Sequence, residues 1–168
     1  MATIELVTRI AAPVERCFLL SLSIDLHVDS ATGSSERAVA GVTRGLIGAG
    51  EEVTWEARHF GVTQRLTSRI TAYEAPRYFQ DSMVRGAFRR FVHDHHFEAD
   101  GGATRMTDRL TFEAPAGPIG RLVDRWILRG YLTRFLRERN EVIRRAAESE
   151  AWRRYLATSD AISSSEKP

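Results

Sequence analysis

Cysteine is almost absent. Cys17 is the only one in 168 residues, which excludes an internal disulfide. Lysine is as scarce: Lys167 stands alone, and the basic side is otherwise arginine. No run approaches the roughly 20 apolar residues that a membrane-spanning helix requires. Met1 to Leu6 shows no basic region leading into an apolar core, so no secretory leader is read. Together these absences predict a cytoplasmic protein. Also missing are a Gly-x-Ser-x-Gly elbow, a P-loop and the dinucleotide-binding glycine pattern, and with them the chemistry each carries. There is no repeat at solenoid periods.

What is present is ordinary globular material. The length fits one domain with a real core, and 43% hydrophobic against 27% charged residues supplies both a core and a charged surface. The formal net charge is only +2, but ten arginines against five acids lie between Arg121 and Arg154. Such a stretch can serve as an interaction surface for anionic partners. The interspersed acids favour a solvated helix face, so no nucleic-acid partner is expected.

Taken in order, Thr3 to Ile10 alternates as a strand. Pro13 then fits a helix start, followed by an apolar stripe through Val14, Cys17 and Phe18, with a second short turn at Ser23 to Val28. From Glu36 the chain is β-rich, with strands expected at 36–44, 51–60, 62–73, 78–85, 88–99 and 104–113. Gly61 and Asp100-Gly101-Gly102 mark tight connections. From Pro118 an amphipathic helical pattern runs to about Leu156. Its stripe is read through Leu122, Val123, Trp126, Ile127, Tyr131, Phe135, Val142 and Ala146, widened by Leu128, Leu132, Leu136 and Ile143. A straight helix of that length exceeds what a small domain needs, so a break near Gly130 is expected. Residues 1–156 read as one domain and 157–168, polar and Ser-rich, as a disordered tail. Trp152 and Tyr155 read as an exposed patch or an oligomer contact, and a homodimer is carried as an expectation on that ground.

The stretch with the most chemistry is Phe88 to Phe97, which holds three of the five histidines. Strand alternation sends Phe91, His93, His95 and Phe97 to one face and Val92, Asp94 and His96 to the other. A sheet of this kind needs its apolar face covered, and only the C-terminal helix is long enough. The fold class is therefore α+β: a curved antiparallel sheet of about seven strands around a long C-terminal helix, with a cavity between them.

The order β-αα-ββββββ-α resembles the helix-grip fold of the START-like, or SRPBCC, superfamily, which includes polyketide cyclase/dehydrase types. Small bacterial members of the cell-division-inhibitor-like kind are the nearest resemblance. Gly50 to Phe60, Pro76 to Gly86 and Phe91 to Phe97 carry it, within about Thr3 to Ala147. The resemblance implies binding of a small hydrophobic or amphipathic ligand: a lipid, a polyketide or an aromatic compound. It implies no catalytic residue, because the superfamily shares no catalytic motif.

With Trp55 and Leu66 on the concave face, the same alternation places His59, Gln64, Asp81, Met83, Phe91, His93, His95, Met106 and Asp108 there. Trp126 and Tyr131 face it from the helix. These thirteen residues are the ligand-binding candidates. Buried carboxylates need partners, so Asp–His pairing across strands is expected. Three uses of the polar set remain open: a satisfied network, orientation of a ligand, or catalysis. In the last, His59, His93 or His95 would act as general base, oriented by Asp81 or Asp108, in a cyclase or dehydrase reaction. His93 and His95 with His59 or Asp81 could also build a zinc or iron site. His-x-His on a strand is a weak signal, and the cupin-type continuation is missing, so no metal or cofactor is assigned. Cys17 reads as a small core residue.

Overall fold

The computed structural model describes residues 1–31, 36–59, 61–114 and 128–163; for His59 and 158–163 the description is of the backbone alone. Seven strands form one antiparallel sheet: β1 (Ala2–Ile10), β2 (Arg37–Gly41), β3 (Glu52–His59), β4 (Val62–Glu74), β5 (Tyr78–Arg85), β6 (Arg90–Asp100) and β7 (Ala103–Glu113). Their spatial order is β1-β7-β6-β5-β4-β3-β2. Each strand from β2 onward pairs with its successor, and β1 closes the far side on β7. Register shifts at Ala38/Ala40, Thr67/Ser68 and Ile70/Ala72 bend the sheet where it must curve. The β6–β7 turn is made by Gly101 and Gly102, both at positive φ (57° and 85°), as a tight hairpin of this hand demands.

The first excursion is two short helices, α1 (Val14–Ser21) and α2 (Ile24–Ser30). Pro13 precedes α1 with extended dihedrals. Ser23 caps α2, its hydroxyl accepting from the Leu26 amide at 3.3 Å. Strand β2 is shorter than the expected 36–44, and Gly41 explains its end. Its φ is +73°, and a Cβ there would lie 2.1 Å from the Glu52 carbonyl oxygen. The chain turns out of the ladder at the one residue type that allows it.

The C-terminal helix α3 (Arg129–Glu148) buries Leu132, Leu136, Ile143, Ala146 and Ala147 at helical spacing. These residues form the centre of its inward face. Tyr131, Phe135 and Val142, placed at the centre by the sequence pattern, are half-buried flanks. Gly130 lies in the first turn, and the preceding arm, 118–127, with Trp126, lies outside the described residues. Among the described residues a break falls at Ser149, where the backbone is extended. The Ser149 hydroxyl donates to the Arg145 carbonyl at 2.8 Å and accepts from the Ala151 amide at 3.3 Å, ending α3 and leading into α4 (Trp152–Ser163). The backbone is thus helical past residue 156. Tyr155 is not an exposed contact: it is buried, and its hydroxyl donates to Asp29 at 2.8 Å. Trp152 is half-buried, with the guanidinium groups of Arg16 and Arg153 4.6 and 4.5 Å from its ring centre.

Among the described residues the apolar interior falls into two clusters. One joins α1, α2 and the middle of the sheet to Ile143, Ala146, Ala147 and Tyr155. The other joins Ile4, Leu110 and Phe112 to Leu132 and Leu136. Between Leu136 and Ile143, α3 turns Arg139 and Asn140 inward instead. No helix among the described residues is long and apolar enough to cross a membrane.

Candidate functional site

A cavity of about 110 Å³ lies between the concave sheet face, α2 and α3. Most of its wall is apolar, including Trp55, Leu66, Ile70, Phe91, Leu110 and Phe135. Strand alternation supplies the sheet side, because residues two apart share a face: Trp55 opposes Leu66, and Asp81 opposes both Ile70 and His93. Ionisable side chains line another part: Asp81, His93 and Arg139 within the wall, with His27 and Glu36 nearer α2. His27 stacks on Trp55 with ring centroids 4.1 Å apart and sets its Nε2 3.6 Å from Glu36.

Behind the wall the charges interlock. His95 Nε2 is 3.1 Å from Asp81 Oδ2, and its Nδ1 is 2.8 Å from Asp108 Oδ1. His93 Nε2 also approaches Asp108 Oδ1, at 3.1 Å, while its Nδ1 is 3.8 Å from Asp81 Oδ2. The two contacts to Asp108 Oδ1 are close in distance but not aligned as hydrogen bonds, so they act as charge contacts. The other oxygen of Asp108 accepts from Asn140 Nδ2 at 2.7 Å. Arg139 completes the group: Nη1 is 3.7 Å from Asp108, and Nη2 donates to the Ser21 carbonyl at 3.3 Å. Asp108 is wholly enclosed, and His93 and His95 are buried with it.

Burial alone would raise both carboxyls. For Asp108 the contacts of His93 and His95 outweigh it and hold the group well below the usual carboxylate range. For Asp81 the His95 hydrogen bond and the neighbouring cations do the same more weakly. The two histidines diverge. Burial, helped by the charge of His95, pushes His93 down, toward the neutral imidazole. Burial also works against charge on His95, but the contacts with Asp108 and Asp81 prevail and raise it. The two carboxylates thus favour the charged form of His95, beside the Arg139 guanidinium, while His93 is held toward neutrality. His95 further stacks on Phe79 at 4.1 Å, the geometry in which a ring face supports a cation.

The sequence-derived candidates divide in four. Trp55, Leu66, Asp81, Phe91 and His93 line the cavity. His95 and Asp108 touch lining residues from behind without lining the space themselves. Met106 is buried beneath Ser21 of α1, with its sulfur 3.7 Å from that hydroxyl. Gln64 and Met83 are half-buried beyond the cavity, and Tyr131 packs on the second apolar cluster. The side chain of His59, and Trp126, lie outside the described residues. Cys17 is buried on α1, and burial raises its thiol, in keeping with a core role. On the opposite face of β6, Asp94 accepts from Tyr78 and Gln80, each at 2.7 Å, apart from the cavity.

His27, Glu36, Arg139 and Asn140 were not among the candidates. For His27 the available signal is its place three residues after buried Ile24, on one face of a helix. For Arg139 and Asn140 the signal is their spacing from Leu132, Leu136 and Ile143, which puts them in the buried stripe despite their polarity. Among the described residues, Asp81, His93 and His95 can each offer one donor atom with all three atoms within 4.8 Å of one another.

The sheet and helix arrangement is shared by solved structures of low sequence identity, which shows the fold. The TTHA0849 protein of Thermus thermophilus is 20% identical, with a TM-score of 0.68, over 88% of this chain and 100% of its own. A START superfamily protein from Mycobacterium smegmatis is 10% identical, with a TM-score of 0.64, over 87% and 97%. The major latex-like protein 151 of Panax ginseng is 16% identical, with a TM-score of 0.60, over 88% and 98%. Among curated proteins none matches the sequence significantly. The sequence profile described as polyketide cyclase / dehydrase and lipid transport matches residues 1–148, nearly all of the fold including α3. The helix-grip architecture and this match agree, and the chain belongs to the polyketide cyclase/dehydrase and lipid transport family of the START-like superfamily.

Proposed function

We propose that the protein binds a small hydrophobic or amphipathic molecule, of lipid, polyketide or aromatic type, between the sheet and α3. Family membership points to hydrophobic ligands in general. The observation that carries the reading is the composition of the cavity wall, apolar over most of its area with Asp81, His93 and Arg139 together in one part. The apolar part contributes through burial, at about 25 cal/mol per Å² removed from water. The charged part orients the polar end of the ligand. A space of about 110 Å³ is somewhat smaller than the ~150 Å³ cavity that admits benzene. It therefore suits a ring or the head of an amphipathic molecule better than a whole acyl chain.

Native mass spectrometry of protein purified from its own host tests this, followed by titration with a panel of aromatic and lipid compounds. A reproducible bound molecule, displaced when Leu136→Trp fills the cavity, supports it. Failure to bind any of the panel refutes it.

A second reading is a cyclase or dehydrase. It is favoured by His93, which borders the cavity as a neutral imidazole with Nε2 3.1 Å from Asp108. Turnover that disappears in His93→Gln with the fold intact would establish it. An interaction role for the arginine-rich helix has weaker support, since Arg134, Arg144 and Arg145 are tied to Glu138 and Glu141 of the same helix.

A further inference from the structure

The four contacts between two imidazoles and two carboxylates have an unequal geometry. The near nitrogens, His93 Nδ1 and His95 Nε2, face Asp81 Oδ2 at 3.8 and 3.1 Å. The far nitrogens, His93 Nε2 and His95 Nδ1, converge on Asp108 Oδ1 at 3.1 and 2.8 Å. Two neutral imidazoles carry two hydrogens between them, so two of the four contacts pair a lone pair with a carboxylate oxygen. In the tautomers that place the hydrogens on the nitrogens nearer Asp108, two lone pairs and a carboxylate oxygen face one another on the Asp81 side. Donor atoms of Asp81, His93 and His95 all lie within 4.8 Å of one another, close enough to share one ion. Donors around a tetrahedral ion with bonds of about 2.1 Å lie roughly 3.4 Å apart, and the two measured separations from Asp81 bracket that value.

The surroundings match as well. A ligating imidazole normally gives its other nitrogen's hydrogen to a carboxylate, which fixes the tautomer and aims the lone pair. Here one enclosed carboxylate lies 3.1 and 2.8 Å from the outer nitrogens of the two rings and is itself held by Asn140 at 2.7 Å. We infer that Asp81 Oδ2, His93 Nδ1 and His95 Nε2 form a site for a first-row divalent transition ion, with Asp108 as the outer carboxylate of both histidines. The donor set, two imidazoles and a carboxylate, suits zinc or ferrous iron. Asp81 and His93 also border the cavity, so a further coordination position opens toward it, where water or an anionic oxygen of a ligand completes the shell. Three protein ligands with an open position is the arrangement of a reactive site, whereas structural zinc is closed by four.

The test uses tag-free, full-length protein stripped with a chelator, titrated with Zn²⁺ by calorimetry and with Co²⁺ by visible absorption. Expected are one ion per chain at micromolar affinity or tighter and intense visible bands of four- or five-coordinate Co²⁺. Asp81→Asn should weaken binding at least a hundredfold, and Asp108→Asn about ten- to a hundredfold, as outer-shell changes do. Asp81 borders the cavity, so its variant is the decisive one should the buried substitutions prevent folding. Absence of stoichiometric binding overturns the inference. So does affinity unchanged in Asp81→Asn, or a Co²⁺ spectrum like that of the free aqueous ion. The site stands apart from the cavity reading: protein that holds the ion but no organic ligand keeps the former and removes the latter.

Discussion

Asp108→Asn is the most direct probe of the buried charge group. The substitution keeps volume and one acceptor but removes the charge. His95 and Arg139 are then left with Asp81 alone to balance them, in a site where Asp108 itself has no exposure. Breaking a buried ion pair from one side costs about 3–5 kcal/mol. Because Asp81 remains and the volume is kept, the lower end, about 3 kcal/mol, is expected. In a chain of this size that lowers the unfolding midpoint by roughly 6–12 °C. The assay is urea denaturation at pH 7 with a chelator present, followed by tryptophan fluorescence and circular dichroism, and the slope of the transition should not change. His95→Gln and the double variant complete a cycle. If the charges are mutually compensating, the double variant loses at least about 1 kcal/mol less than the sum of the single losses. A single loss under about 1 kcal/mol, or additivity within about 0.5 kcal/mol, would refute the reasoning.

The divergent histidines predict a stability maximum near pH 6.5, the ordinary histidine value. His93 is held below it, so stability falls as pH drops from there; His95 is held above it, so its contribution is complete below that pH and is lost as pH rises through its folded value. Urea midpoints across the pH range should lose the acid limb in His93→Gln and the alkaline limb in His95→Gln. Leu136→Ala, at a buried position that also lines the cavity, should cost about 2–5 kcal/mol and shift binding toward larger rings, read from paired titrations with benzene- and naphthalene-sized probes. Gly41→Ala must place a Cβ on the Glu52 carbonyl at positive φ, and a thermal melt should show a loss above about 1 kcal/mol.

Strand alternation carried most of what could be read in advance. The period of two is rigid, so one apolar residue on a known face fixes its neighbours. Trp55 fixed that side of β3, and Phe91 and Phe97 fixed His93 and His95 between them. The pairing of Asp81 and Asp108 with those histidines followed from strand order. What alternation could not supply is depth along a strand. Gln64, Met83 and Met106 have the right side but not the right height. Helix polarity misled differently. Arg139 and Asn140 resemble solvent-facing residues until the carboxylate opposite them is known, because a buried cation or amide is favourable only against its partner. Ser149 ends α3 through its own hydroxyl bonds, a local competition that leaves little trace in the sequence.

The two polar residues on α3 bear on alignment. The helix presents apolar side chains above and below Arg139 and Asn140, and a slide of one turn, about 5.4 Å, would still set leucine against leucine-sized space. It would also carry Asn140 away from Asp108 and Thr8 and draw Arg139 off the Ser21 carbonyl. Apolar contacts tolerate such a shift and these bonds do not. The Arg–Asn pair therefore works as an index mark, holding the helix at one height on the sheet and fixing the size and position of the space beneath it.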